Sequence, residues 1–400
     1  MTGPVAGVRG LRIAHLIESD GPGGAERMLA HLARTLQDAG AWNVAFLPAD
    51  GEGWLGHELE ESGVAIEHYR LPRPVSPATA RSLEAALRRH RIDVAHSHEF
   101  TMAVYGAWAS WRGGIPHVIT MHGSSYYSAR LRRRLAMRAA IALSGRTVAV
   151  SVSLARRLGQ DLGMDPSRVL MISNGVPRMA RGQTTLREEL GLRPEDRLLV
   201  SVGNLYAVKG HRHLIDALAL IARRHPRVHV AIAGRGQMED ALSARARDLA
   251  VADRVHLLGL RTDVAAVLAA ADVFVLPSLS EGLPLALLEA MFAGCPIVAS
   301  DVGEVGTALA QGEAGVLVEA GDSAALAAAL DEVLSDCGRA RELGRRAALR
   351  AAAEYDISHM VRRYADIYRD LLRTARGVPR AVAALPMAAP RSGAGMDGSA

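Results

Sequence analysis

At 400 residues the chain is too long for one ordinary core, so two domains or one large barrel are expected. It is 49% hydrophobic and 22% charged with mean hydropathy +0.09, a soluble globular composition that excludes global disorder. Aromatics at 4% argue against stacking platforms for single-stranded nucleic acid, so no nucleic-acid partner is expected, and the two cysteines (Cys295, Cys337) cannot frame a disulfide scaffold or a Cys-rich zinc site. The net charge of +5 divides into +7 over residues 1–185, −3 over 186–376 and +1 beyond, which suggests different partners for the two halves.

The first ten residues are Gly-rich and expected to be flexible. Short apolar runs then follow as candidate strands at Leu11–Glu18, Val44–Leu47, Val64–His68, Val94–His96, His117–Thr120, Val148–Val150 and Val169–Ile172, with helical periodicity between most of them. Ser173–Thr185 breaks the pattern with Asn174-Gly175, Pro177 and Gly182, and reads as a linker. A second series begins beyond it: Leu198–Val202, Val228–Ala233, Val255–Leu258, Val273–Leu276, Ile297–Ser300 and Gly315–Val318. Strands alternating with helices, nearly continuous in apolar residues, imply parallel sheets covered on both faces. A polar gap and a restart halfway favour two doubly wound units over one barrel. The expected division is 11–172, a linker at 173–185, 186–354, a helix over 355–376 and a disordered tail at 377–400. No signal peptide is evident, and no uncharged stretch reaches the ~18 apolar residues of a membrane span. The expected location is cytoplasmic, peripheral on the inner face of the cell membrane.

Ligands of doubly wound sheets bind beyond the carboxyl ends of the strands. After the first strand of the second unit stands Ser201-Val-Gly-Asn204-Leu-Tyr-Ala-Val-Lys209-Gly210, just before a helix. Of the 47 basic residues, 46 are Arg; Lys209 is the only lysine. It is either a solvated loop side chain or, with the backbone N–H groups of a helix start, part of an anion site. Gly234-Arg235-Gly236 is a tight turn or a second ligand loop. Ser278-Leu-Ser-Glu281-Gly282-Leu283-Pro284 leads into a helix carrying Glu289 among apolar neighbours, so two carboxylates bracket a helix start. Carboxylates suit paired hydrogen bonds from sugar hydroxyls. A capping box between Ser278 and Glu281 is the alternative, and Pro284, placed in the first turn, argues against it.

In the first half, Gly21-Pro-Gly23-Gly24 opens a helix without the spacing of a dinucleotide fingerprint. His122, at a strand end, is a candidate for proton chemistry or a structural histidine. His96 and His98 share a strand face and could ligate metal, yet a third ligand at clear spacing is missing. Arg130, Arg132, Arg133, Arg134 and Arg138, with Leu131, Leu135 and Met137, form either a solvated basic face or a helix for an anionic membrane surface.

Together these motifs, over residues 11–376, resemble the GT-B-fold retaining glycosyltransferases of family 4 (glycosyl transferases group 1). The resemblance implies two Rossmann-like domains facing a cleft, with a C-terminal helix crossing back to the first. It implies a nucleotide-diphosphate-sugar donor bound by the second domain and a glycan or lipid-linked acceptor bound by the first, as in bacterial surface polysaccharide assembly, with no cofactor and no metal. Lys209 would hold the diphosphate, Glu281 the hydroxyls of a transferred hexose and Glu289 the ribose. His122 would approach the reacting sugar, and Gly23 and Gly24 would let backbone approach the donor phosphates or acceptor; Asn204, Gly236, Gly282 and Leu283 complete the implied binding set. Where the family usually has Arg this chain has Asn204, which donates a hydrogen bond but carries no charge; Arg235 and Arg261 are the candidates to replace it. The competing readings are a nucleotide-sugar epimerase, a metallohydrolase on His96 and His98, and a non-enzymatic nucleotide-binding protein at a membrane surface.

Overall fold

The computed structural model describes residues 7–51, 53–71, 76–123, 127–178 and 184–377. All thirteen apolar runs form strands. The first sheet contains β1 (Arg12–Leu16), β2 (Trp42–Pro48), β3 (Ala65–Tyr69), β4 (Val94–His98), β5 (His117–Met121), β6 (Arg146–Ala149) and β7 (Val169–Met171), in the order β3-β2-β1-β4-β5-β6-β7. The second contains β8 (Arg197–Val202), β9 (Val228–Ala233), β10 (Val255–Leu257), β11 (Val273–Leu276), β12 (Ile297–Ser300) and β13 (Val316–Val318), in the order β10-β9-β8-β11-β12-β13. Every pairing between these strands is parallel. Central strands such as β11 and β12 are buried throughout, which is why they read as unbroken apolar runs rather than alternating ones.

Each sheet reverses its order of winding next to its first strand, between β1 and β4 and between β8 and β11. A crevice opens beyond the strand ends at such a point. In the first sheet the loops that edge it are Ile17–Gly23 and His98–Glu99; in the second they are Gly203–Gly210 and Pro277–Pro284.

Two chain crossings lie side by side between the sheets. Val176 N–H donates to Tyr355 O at 3.0 Å, and Ile357 N–H donates to Val176 O at 3.0 Å. Tyr355 packs in the second core, so the return begins at Asp356 and the last helix runs Ile357–Gly377. Its Val361, Tyr364, Ala365, Tyr368 and Leu371 recur at helical spacing and are buried with Ile13, Met28, Leu32 and Val118 of the first core. Burying each such side chain contributes about 1.5–3 kcal/mol. Val8 joins this cluster, and Gly10 N–H bonds Gly40 O. The rest of the expected flexible N-terminus (1–6), part of the expected linker (179–183) and the expected tail beyond 377 lie outside the described residues. The architecture is the GT-B arrangement of two facing α/β domains.

Candidate active site

The two crevices meet in one cleft. A cavity of about 330 Å³ is lined by Gly23, Gly24 and His122 from the first domain and by Asn204, Lys209, Glu281, Gly282, Leu283 and Glu289 from the second. It adjoins a larger cavity of about 1620 Å³ at Pro22, Gly23 and Asn204. Gly236 lines only the larger one.

Lys209 Nζ donates to Glu281 Oε1 at 2.7 Å, and Ser278 Oγ donates to the same oxygen at 2.7 Å. This is not a capping box, because the helix starts only at Leu285. Pro284 is its N-cap, one position earlier than the first turn expected from sequence. The helix N–H groups that lack intrahelical partners therefore begin at the cleft wall, beside Lys209. The Glu281–Gly282 backbone is clamped from behind. Gly303, at φ +58, places the site of an added Cβ 2.2 Å from Glu281 O, and Glu304 N–H donates to Gly282 O at 2.9 Å.

The glycines at 234 and 236 have a packing reason. A Cβ at Gly234 would lie 2.0 Å from Gly203 O, and one at Gly236 2.6 Å from Leu205 O. Leu205 N–H bonds Arg235 O at 2.9 Å. The Gly234–Gly236 turn thus supports the loop that carries Asn204. Arg261 gives its guanidinium to Asp263 (2.7 and 2.6 Å) and Glu189 (3.0 Å), so it is already matched by two carboxylates. Arg235 lines the larger cavity with Asn204 and Tyr206.

Glu289 is buried in the helix Leu285–Phe292. Burial raises its carboxyl pKa, and Arg27 of the first domain opposes that shift from 3.6 Å. His122 Nε2 lies 3.0 Å from His98 Nδ1, and its backbone N–H donates to Glu99 Oε1 at 2.9 Å. Burial lowers the His122 pKa to about 3, so the ring is neutral. Asn174 Nδ2 ties the linker to the second domain through Leu283 O at 3.1 Å.

Two residues of the cleft escaped sequence reasoning. Arg27 follows the Gly-rich turn by one helical turn, and its position at a helix start on the ligand edge was the available signal. Glu99 comes directly after β4 and adopts φ 65, a left-handed conformation that costs a glutamate about 1–2 kcal/mol. No sequence pattern marks such strain.

Hydrogen bonds occupy part of the candidate metal set. Cross-strand register pairs His15 with His96, supplying a third imidazole beside His96 and His98. But His96 bonds Tyr368 OH through Nδ1 and Thr120 Oγ1 through Nε2, both at 2.7 Å. That leaves one unbonded nitrogen each on His15 and His98, two rather than three.

The basic cluster divides. On the helix Leu131–Leu143, Arg132 and Arg133 line the larger cavity and Arg138 donates to Leu162 O at 2.5 Å. Leu131 and Leu135 are 70% and 57% exposed. Among the described residues no helix is long and apolar enough to cross a membrane.

Two family models match: "Glycosyltransferase Family 4" over residues 22–178 and "Glycosyl transferases group 1" over residues 182–350. A D-inositol 3-phosphate glycosyltransferase of Nocardia farcinica is 31% identical over 311 residues, covering 72% of this chain and 69% of that protein. An Escherichia coli UDP-Gal:alpha-D-GlcNAc-diphosphoundecaprenol alpha-1,3-galactosyltransferase is 29% identical over 271 residues, covering 64% of this chain and 70% of that protein. Among solved structures, Anabaena Alr3699/HepE in complex with UDP-glucose superposes with TM-score 0.77 at 23% identity, over 92% of this chain and all of that one.

Proposed function

This chain belongs to the family 4 glycosyltransferases, and from that we propose that it moves a hexose from a nucleotide-diphosphate-sugar to a glycan or lipid-linked acceptor with retention of configuration. The observation that carries the reading is the convergence of Lys209, Glu281 and Glu289 from one domain with His122 and Arg27 from the other around a single cleft. The diphosphate lies against Lys209 and the start of the helix Leu285–Phe292, where negative charge builds as the C1–oxygen bond breaks. Asn204 adds an uncharged donor. Glu281 accepts hydrogen bonds from the sugar and Glu289 from the ribose, while Gly23 and Gly24 let backbone approach the phosphates. Glu281 is already bonded by Lys209 and Ser278, which leaves it poorly placed as a covalent nucleophile. The acceptor therefore attacks on the face from which the diphosphate departs. Closure about the paired crossings at Val176 and Ile357 excludes water.

The larger cavity supports the transferase over an epimerase, which needs no second substrate. The relatives named above act on acceptors bearing an inositol phosphate or a diphosphoundecaprenol, and Arg132 and Arg133 at the rim suit an acceptor phosphate. Exposed Leu131 and Leu135, with Arg130 and Arg134, form the face for an anionic membrane. Thermal stabilisation by UDP, GDP and ADP, followed by slow hydrolysis of the matching sugar nucleotide, tests the donor. A fold stabilised by none of the three ends this reading. Co-sedimentation with anionic vesicles that is unchanged by Leu131→Ser/Leu135→Ser removes the membrane face.

A further inference from the structure

Glu304 is not among the residues that line the two cavities, yet it touches both the cleft loop and the other domain. Its backbone N–H donates to Gly282 O at 2.9 Å, and Gly303 before it packs against Glu281 O. Its carboxylate reaches across: Oε1 accepts from the backbone N–H of Ser153, in the first domain, at 3.1 Å. Ser153 follows β6 and Glu304 follows β12, so the contact joins the carboxyl-end sides of the two sheets, where the cleft opens. His122 O of the first domain also comes within 3.8 Å of the position a side chain at Gly282 would take.

Ser153 is the second residue of the helix Val152–Leu162, and the first N–H groups of a helix have no acceptor within it. Ser151, at the N-cap, takes Leu154 N–H with its side-chain oxygen at 3.1 Å. For Ser153 N–H the acceptor comes from 151 positions away, in the second domain. A carboxylate there also meets the positive end of the helix dipole, which strengthens the bond. Ser153 and Glu304 are both half-buried, so water replaces the contact when the domains part. On its own side Glu304 is anchored: its C=O accepts from Ala308 N–H at 2.8 Å, and the Val305 and Gly306 that follow it are buried.

We propose that Glu304 latches the closed cleft. Its carboxylate caps the first-domain helix as the domains meet, while its backbone holds Gly282, and with it Glu281, in the position that faces His122. One anchored residue thereby links closure to the geometry of the sugar site. Glu304 touches no substrate and is a positioning residue. That part of its role rests on the reading of Glu281 and His122 as contacts to the reacting sugar; the closure contact itself rests on no substrate.

Three variants grade the contact. Glu304→Gln keeps an oxygen acceptor without the charge, Glu304→Ala removes the acceptor, and Glu304→Lys brings a cation to the positive end of the helix. All three keep the backbone N–H on Gly282 O, so the fold of the second domain is retained. Small-angle scattering of the ligand-free full chain reads closure: the radius of gyration should rise in the order wild type, Gln, Ala, Lys. Four equal radii overturn the latch, and so does an equal increase in all three variants, because packing rather than charge is then what was lost. For the sugar nucleotide that the protein turns over, kcat should fall about tenfold in Glu304→Ala with the donor KM unchanged, the scale of one charge-assisted hydrogen bond, and Glu304→Gln should restore most of the rate. A loss of rate with equal radii overturns the proposal; ordered radii with full kcat overturn the positioning role. A protein stabilised by no nucleotide fails the transferase reading instead, and the order of the radii still decides the latch.

Discussion

Lys209 Nζ lies 2.7 Å from Glu281 Oε1, joining the two loops that flank the winding reversal of the second sheet. The only lysine of the chain thus holds a carboxylate that is itself nearly buried. Ser278 shares the same oxygen, so the space suits a compact ammonium better than a planar guanidinium. Lys209→Ala is expected to lower kcat/KM by about 10²–10³-fold, the scale of losing one charge-stabilising donor. Lys209→Arg should recover little of it. Steady-state kinetics check this, and full turnover in the Arg variant refutes the need for an ammonium.

Arg27 and Glu289 face each other across the cleft at 3.6 Å. Burial pushes the Glu289 carboxyl up, and the guanidinium holds it down. Removing the cation in Arg27→Met raises that pKa further. If Glu289 must be ionised to bind the ribose, the acidic limb of the kcat/KM profile moves to higher pH in the variant. A limb that stays in place separates Glu289 from donor binding.

Two glycine substitutions should lower activity with opposite effects on stability. Gly303→Ala drives a Cβ into Glu281 O at 2.2 Å and strains a φ of +58, so stability falls by about 1–3 kcal/mol and activity falls with it. Gly24→Ala meets nothing within 4 Å and improves helix propensity. Its melting temperature should hold or rise while activity drops, because the new methyl occupies cleft space. Melting curves and rates on the same samples check the pair. Undiminished activity in Gly24→Ala removes the backbone-approach role.

Acid should unfold the first domain before the second. Burial lowers His15 and His31 to about 4 and His117 and His122 to about 3 there, against His211 at about 4 in the second domain. These rings are neutral when folded and take a proton on unfolding below the ordinary histidine value of about 6.5. The unfolded state therefore binds more protons in this window, and stability falls as pH drops from 6.5 toward the folded values. Each group costs about 2 kcal/mol by about pH 5. All four tryptophans, Trp42, Trp54, Trp108 and Trp111, belong to the first domain, so their fluorescence follows it alone. Its midpoint should fall faster with acid than the far-ultraviolet signal of the whole chain; coincident transitions at every pH contradict this.

All thirteen strands were legible because parallel strands buried on both faces leave unbroken apolar runs, as at Val273–Leu276. Glu281, Glu289 and Lys209 stood out because strand ends carry ligands in this architecture. What the sequence hid depends on strand order and register. His15 is 81 positions from His96 but becomes its cross-strand partner, and the strained Glu99 looks like any helix-start acid until its φ is known. Arg261 looked like a spare cation until Asp263 and Glu189 were seen to hold it.

The last helix also has a consequence for how the protein is made. Tyr364 and Tyr368 fill the core of the first domain, and Tyr368 bonds the His96 ring within it. The first domain therefore waits for a segment made after the second. Until residues 357–371 emerge, Ile13, Met28 and Val118 have an uncovered apolar seam, whereas the second domain closes most of its core on its own residues. On this topology the second domain consolidates first, reversing the usual N-to-C order of synthesis-coupled folding.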